Sequence, residues 1–458
     1  MDTFLGLWEI GSPKLYLIWV IVFAAQIIVA EINRRWLWTV FAIWTVGGIA
    51  LIPYAAYHAI PMIGWFPFGK YVIMVTVSTW NAAFVYLGRN DPRKFRRNIL
   101  VIGFITWIGV AINIMEANIR DINIYFQADF YNACAANWEC LKGINASHTL
   151  DMIAGLPETR GVTAPLHSDE WYQAVAANFA NTNVGIDPET GFRTIGGFWN
   201  IMSAIAGCLN IITMTGWAKI TIGSNPKQKV KGLIWADMVW PWVIAYDLWN
   251  HAFLYNALAD YTWYCTLALL LAATIPAFWW AKGQWLWFRC YTLMFWIAMN
   301  NLLPEFLISP GQNNFATMNP TANIVCSGLA LGSNVLLFIY FLYLVIVKKR
   351  NPITSSIYQD IAEYRTIAKE HMDDKDKYWV CDMIKETPQE LGFEPDSPIP
   401  PADGYVHHMA WWGKADKRYP KLRTPVSADP VLAKKGIEQD PRWDVSASSA
   451  ESAGQPDK

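Results

Sequence analysis

Residues 322–350 read ANIVCSGLALGSNVLLFIYFLYLVIVKKR. From 322 to 347 no side chain is charged, and the run exceeds the roughly 20 apolar residues a helix needs to cross a hydrocarbon core. Lys348, Lys349 and Arg350 follow at once. An apolar run of this length, closed by three cations, reads as a membrane helix with its basic end in the cytoplasm.

Eight more runs of similar kind precede it, at about 15–33, 36–58, 69–88, 97–118, 196–217, 232–256, 261–281 and 284–307. The chain is 54% apolar and 16% charged, with the apolar residues gathered into these runs, so a polytopic membrane protein is expected rather than a water-soluble domain. The expected fold is an all-α membrane bundle of about nine transmembrane helices. It fills residues 1–350, followed by a cytoplasmic helical extension at 351–385 and a mostly irregular tail at 386–458. The first run lacks a basic leader and ends in Glu31, Arg34 and Arg35 rather than at a small-residue cleavage site, so it stays as the first helix.

Charge sets the orientation. Arg34 and Arg35 follow span one, Arg89 to Arg97 span three, Lys219 to Lys231 span five, Lys282 span seven and Lys348 to Arg350 span nine. Every odd-numbered exit is basic, which places the N-terminus outside and the C-terminus inside. The long insert between helices four and five, 118–195, then lies outside, with nine acidic residues against four basic. Within it, SDEWYQAVAANFA reads as a capped amphipathic helix, with Ser168 as the cap and Trp171, Val175 and Phe179 on one face. It is expected to cover the outer mouth of the bundle. Cys134 and Cys140 lie close together in the same insert, where a local disulfide is feasible but not required. The basic and aromatic stretch HHMAWWGKADKRYPKLR at 407–423 reads as a peripheral contact with lipid headgroups or with the underside of the bundle.

Polar residues recur inside the spans. Span four carries Asn113, Glu116 and Arg120 on one face, so that Glu116 can pair with Arg120. Asn200 and Ser203 lie in span five, Asp247, Asn250 and His251 in span six, Asn300, Asn301 and Glu305 in span eight, and His58 ends span two. A charge at the centre of a membrane helix costs about 2.5–3.5 kcal/mol even on lenient scales. Several helices bringing such groups to one depth suggest an outward-facing polar chamber that binds a ligand, with interhelical polar glue as the plainer explanation. Pro241, between Asp237 and Asp247, could supply a bend. Nearer the inside, Asp237 and Arg289 read as a buried ion pair. Deep tryptophans such as Trp242, Trp249 and Trp296 are read first as packing and second as an aromatic box for an organic cation.

The strings MEANIRD at 115, NIMSAIAGCLNIITMTGW at 200, DMVWPWVIAYDLWNHAFLYN at 237, GQWLWFRCYTL at 283 and KRNP at 349 resemble a bacterial family of multi-pass membrane proteins known only as a domain of unknown function. The resemblance runs from the first span to just past the ninth. It implies an integral protein of a bacterial cytoplasmic membrane and brings no activity, cofactor or catalytic residue.

Function is then weighed among three classes. The first is a transporter or channel whose chamber takes an ion or a small polar or cationic solute. The second is a membrane redox protein, with His58 and His251 as the minimum for two haem ligands. The third is a ligand-binding membrane sensor signalling through the extension. No HExxH, GxSxG, P-loop, dinucleotide fingerprint or zinc-type cysteine spacing occurs, which disfavours hydrolase, nucleotide-driven and zinc-protease chemistry. The expected partner is the lipid bilayer, with no nucleic acid and no identified cofactor or metal.

Overall fold

A computed structural model of the chain describes residues 13–91, 94–95, 98–147, 151–225, 230–259, 262–304, 318–353 and 356–371. The described residues are mostly helical, and a helix occupies each of the nine segments read as spans. Five helical segments are long and apolar enough to cross a membrane: Tyr16–Arg35, Pro67–Asn90, Ile99–Ala135, Phe198–Lys219 and Pro320–Ile346. A sixth is made if the bent pair Leu37–Ala50 and Ile52–Ile63 is one span. Their outward faces are apolar and uncovered: Leu17, Ile21 and Ile28 on the first helix and Leu329, Leu336 and Ile339 on the last are all more than half exposed. Soluble surfaces rarely leave such continuous apolar stripes open.

Helix α1 is Pro13–Arg35, with proline at the first helical position where its missing N–H costs nothing. Glu31 clamps its basic end, holding Arg34 at 2.7 Å and Arg35 at 2.8 Å. The second expected span is broken. Helix α2, Leu37–Ala50, contains a π-helical stretch at Val40–Gly47, and α3, Ile52–Ile63, leaves it at 60°. Pro53 enters the first turn of α3 and Pro61 sits inside it, so the backbone ladder is interrupted twice within one apolar run.

Helix α4 is Trp65–Asn90 and α5 is Ile99–Ala135. The latter runs far past the expected end at residue 118. At 1.5 Å per residue its 37 residues reach about 55 Å, against a hydrocarbon core of about 30 Å. Beyond it come α6, Trp138–Ser147, and α7, Asp169–Ala180. The expected cap is present, with Ser168 Oγ accepting from the Trp171 N–H at 3.1 Å, and Trp171, Val175 and Phe179 are buried. A disulfide joins Cys134 to Cys140 across the α5–α6 turn. Two residues each, β1 (Gly185–Ile186) and β2 (Arg193–Thr194) pair antiparallel, and buried Arg193 meets Glu158 at 3.1 Å.

Helix α8 is Phe198–Thr213. A hairpin follows, β3 (Thr221–Asn225) against β4 (Val230–Ile234), where a loop and the start of span six were expected. Helix α9 therefore begins only at Trp240, and runs to Ala257. Pro241 lies in its first turn, so it starts the helix and does not bend it. Helix α10 combines π-helical Trp263–Ala268 with Leu269–Trp279, α11 is Trp285–Leu302, α12 is Pro320–Ile346, and α13 is Ala362–His371.

The chain divides into two compact units interleaved in sequence. The first comprises Met1–Ala82, Trp107–Met214 and Met238–Lys349. Inside it α8, α9 and α12 pack mutually, α1 lies against α10 and α11, and α11 meets α3. The second comprises Ala83–Thr106, Thr215–Asp237 and Arg350–Lys458. Within it, the buried Asp237 carboxylate accepts from Thr215 Oγ1 at 2.7 Å and from the Ile357 N–H at 3.1 Å. Gly216 has φ +72° and backs onto the Asp237 carboxylate, so a side chain there would be strained by backbone and space alike.

Candidate functional site: a polar cavity between helices

Within the first unit, five helices and the β1–β2 turn line a partly open cavity of about 100 Å³. Each helix lines it with one face. On α5 these are Asn113, Glu116, Ala117 and Arg120; on α9, Asn250, Phe253, Leu254 and Leu258; on α11, Arg289, Leu293, Trp296, Ile297 and Asn300. Spacings of three, four and seven put each set on one helical stripe. Pro67 and Lys70 come from α4, Cys265 and Leu269 from α10, and Thr190 and Phe192 from the insert. The insert thus closes one side of the cavity.

Of the residues that the sequence places at the outer level, Asn113, Glu116, Arg120, Asn250 and Asn300 meet here. Arg289 joins them, although depth counting put it near the opposite end of its helix. Arg289 and Asn300 are eleven residues apart on α11, about 16 Å along the axis, so the cavity spans the two levels that sequence reasoning kept separate.

The ion pairs differ from those expected. Glu116 is held by Lys70 Nζ at 2.9 Å rather than by Arg120. Arg120 turns to Asp187 of the insert, at 3.3 Å, and Asp187 also accepts from Thr190 Oγ1 at 2.8 Å. Both groups are thus met by neighbours from other elements. Arg289 and Asp237 each find partners inside their own units. Asp237 takes Thr215 and Ile357, while Arg289 Nε donates to Tyr246 Oη at 3.2 Å and its guanidinium lies 5.7 Å from the Tyr246 ring centre. Arg289 is 7% exposed, and its Nη1 is buried with no hydrogen-bond partner. The Oδ1 atoms of Asn250 and Asn300 are likewise buried and unpartnered.

Other expected chamber residues are used to hold helices. Asn200 accepts from the Gly197 N–H at 2.9 Å and so caps its own helix, while its amide donates to Asp121 Oδ1 of α5 at 2.8 Å. Ser203 is fully buried beside Asp121. Asn301 donates to the Pro67 carbonyl at 3.2 Å and to the Ile297 carbonyl at 2.9 Å. Asp247 Oδ2 accepts from Thr274 Oγ1 of α10 at 2.7 Å, and Asp247 is not part of the cavity wall. His251 stacks on Tyr255 and His58 tilts against Tyr54, and neither lines the cavity. Among the described residues no three His, Cys, Asp or Glu side chains gather as metal ligands. Glu305 lies outside the described residues, as does the 407–423 stretch.

Trp242 and Trp249 belong to the packing: their indole N–H groups donate to the Asn210 carbonyl at 3.3 Å and to Asn118 Oδ1 at 3.2 Å. Only Trp296 of the deep tryptophans reaches the cavity wall. Lys70 and Thr190 were not anticipated. A lysine at the start of an apolar run is usually a snorkelling anchor, so the sequence carries no signal that Lys70 turns inward to Glu116.

In outline this is a helical chain with several membrane-length apolar helices and, within its first unit, a small cavity lined by apolar and polar side chains together. Residues 170–370 match the sequence profile of a family described as Family of unknown function (DUF5692). The match covers less than half of the chain, taking in the strings at 200, 237, 283 and 349 but not the one at 115. No curated protein and no solved structure matches the chain.

Proposed function

We propose that this protein is a multi-pass membrane protein of nine spans, N-terminus outside and C-terminus inside, that moves a small polar solute through the cavity between its helices. The observation that carries this reading is the wall itself. Lys70, Glu116, Arg120 and Arg289 converge on one cavity from three apolar helices, where ionisable groups are costly unless they line a path or a site. The alternating Lys/Arg pattern supports the orientation, and a bacterial cytoplasmic membrane follows from the family resemblance. The insert, through Thr190 and Phe192, is the cover on the outer side.

Reconstitution tests it. Liposomes containing the protein should equilibrate a labelled small solute faster than empty ones, and Asn250→Trp, which fills the cavity, should stop that flux while membrane insertion stays normal. Flux that survives the filling removes the cavity from the mechanism. Saturable binding with no flux in any condition favours a sensor over a transporter, and a Soret band in the purified protein would establish the redox reading instead. A cysteine at Lys349 should react with a membrane-impermeant maleimide only from the cytoplasmic side.

A further inference from the structure

We propose that the solute is a small monocarboxylate carrying its own hydrogen-bond donor, a short hydroxy or amino acid, with its carboxylate bound by Arg289 and its donor by Asn250. This rests on reading the cavity as a solute site. Of the three cations in the wall, two are already committed: Lys70 to Glu116 at 2.9 Å and Arg120 to Asp187 at 3.3 Å. Among the described residues, Arg289 has no carboxylate at ion-pair distance. It is more than nine-tenths buried and keeps one N–H-bearing nitrogen, Nη1, without an acceptor. Asp247 acts on it only through longer-range electrostatics, its own Oδ2 being taken by Thr274.

A buried donor without an acceptor is costly, and a guanidinium is the group best shaped to take a carboxylate in two parallel hydrogen bonds. A cationic solute would leave Nη1 unpaired and add repulsion. A carboxylate relieves both.

Register fixes the second contact. Arg289 reaches α9 at Tyr246, and Asn250 lies four residues further on, about 6 Å along that helix. Asn250 Oδ1 is a buried acceptor with nothing to accept. A hydroxyl or ammonium one or two bonds from the carboxylate spans this gap. Asn300, about 16 Å from Arg289, is beyond such a molecule.

Size sets the limit. The cavity holds about 100 Å³, and one of about 150 Å³ admits benzene, with its six heavy atoms. The solute therefore has about six heavy atoms or fewer, and Leu254, Leu269, Leu293 and Ile297 leave room only for a short apolar remainder.

Calorimetric titration of the purified full-length protein in nanodiscs tests this with four probes: L-lactate, L-alanine, propionate and ethanolamine. Lactate or alanine should bind, propionate about tenfold more weakly for lack of a donor, and ethanolamine not at all. Arg289→Gln should lose the lactate or alanine signal by about a hundredfold, and Asn250→Leu should reduce lactate and alanine to the propionate level. Arg289→Lys keeps the charge without the fork and should bind about tenfold more weakly, so it decides the matter if Arg289→Gln does not fold. Preferential binding of ethanolamine, or lactate binding unchanged in the Arg289 variants, overturns the carboxylate assignment and leaves the solute site standing. Binding of none of the four, of either charge, overturns the solute site and the assignment with it.

Discussion

Helices α5 and α9 each carry two buried polar faces, and the two faces behave differently. One looks toward α8 and α12. There Asn256 Nδ2 donates to Ser327 Oγ at 3.2 Å, Asn323 Nδ2 to Asn256 Oδ1 at 2.7 Å, Asn210 Nδ2 to Asn334 Oδ1 at 3.1 Å, and Asn334 Nδ2 to the Ala245 carbonyl at 3.0 Å. With Asn200 on Asp121 and Trp249 on Asn118, each of these amide and indole donors reaches a protein acceptor, and what remains open is oxygen, at Asp121 Oδ2, Ser203 Oγ, Asn210 Oδ1 and Asn323 Oδ1. The other face lines the cavity, where a buried guanidinium nitrogen of Arg289 stays unpaired. Polar residues at equal depth therefore divide by bookkeeping of donors: the seam is built to hold helices, and the cavity wall is left incomplete.

The sharpest way to break this contrast is at Gly207 of α8. A β-carbon there would overlap the amide of Asn118 and the indole nitrogen of Trp249. Gly207→Ala should cost about 3 kcal/mol, at the upper end for overpacking a core, and lower the thermal midpoint of the purified protein accordingly. An unchanged midpoint would mean that α8 is not pressed against the hydrogen bond between Trp249 and Asn118. Asn200→Ala removes a helix cap and the tie to Asp121 in one step. A loss of about 2 kcal/mol is expected, read by the same melt, and Asn200→Asp should not rescue it because it sets a second carboxylate against Asp121. On the cavity side the sign reverses. Arg289→Met replaces a buried, underused charge by an apolar side chain of similar length, and should leave stability unchanged or raise it by about 1 kcal/mol. A large loss in Arg289→Met would show that the arginine holds the helices together, as the seam residues do.

The segments that became helices were legible because each apolar run is long and bounded by charge, and α7 was legible down to Ser168 because cap and apolar face coincide. The start of α9 was not. Gly232 to Trp235 continues the apolar run without a break, so the strand Val230–Ile234 and the helix from Trp240 read as one segment; only Pro241, at home in a first turn, marked the boundary. The end of α5 was obscured in the opposite way. The span was expected to end at about residue 118, yet Asn118, Asp121, Ile124, Tyr131 and Cys134 are buried in the continuing helix. In the site, residue types were readable and pairings were not. Glu116 and Arg120 stand one turn apart on α5, but Lys70 and Asp187 arrive from elements 46 and 67 residues away, a choice made by packing that no local spacing encodes.

That unbroken α5 also has mechanical meaning. Its lower part supplies Asn113, Glu116 and Arg120 to the cavity, and its last turn is stapled through Cys134 to the insert that contributes Thr190 and Phe192. From Arg120 to Ala135 the rod measures about 22 Å, so a tilt of only about 5° pivoting at Arg120 would swing its far end by about 2 Å. One stiff lever thus couples the bottom of the cavity to its cover.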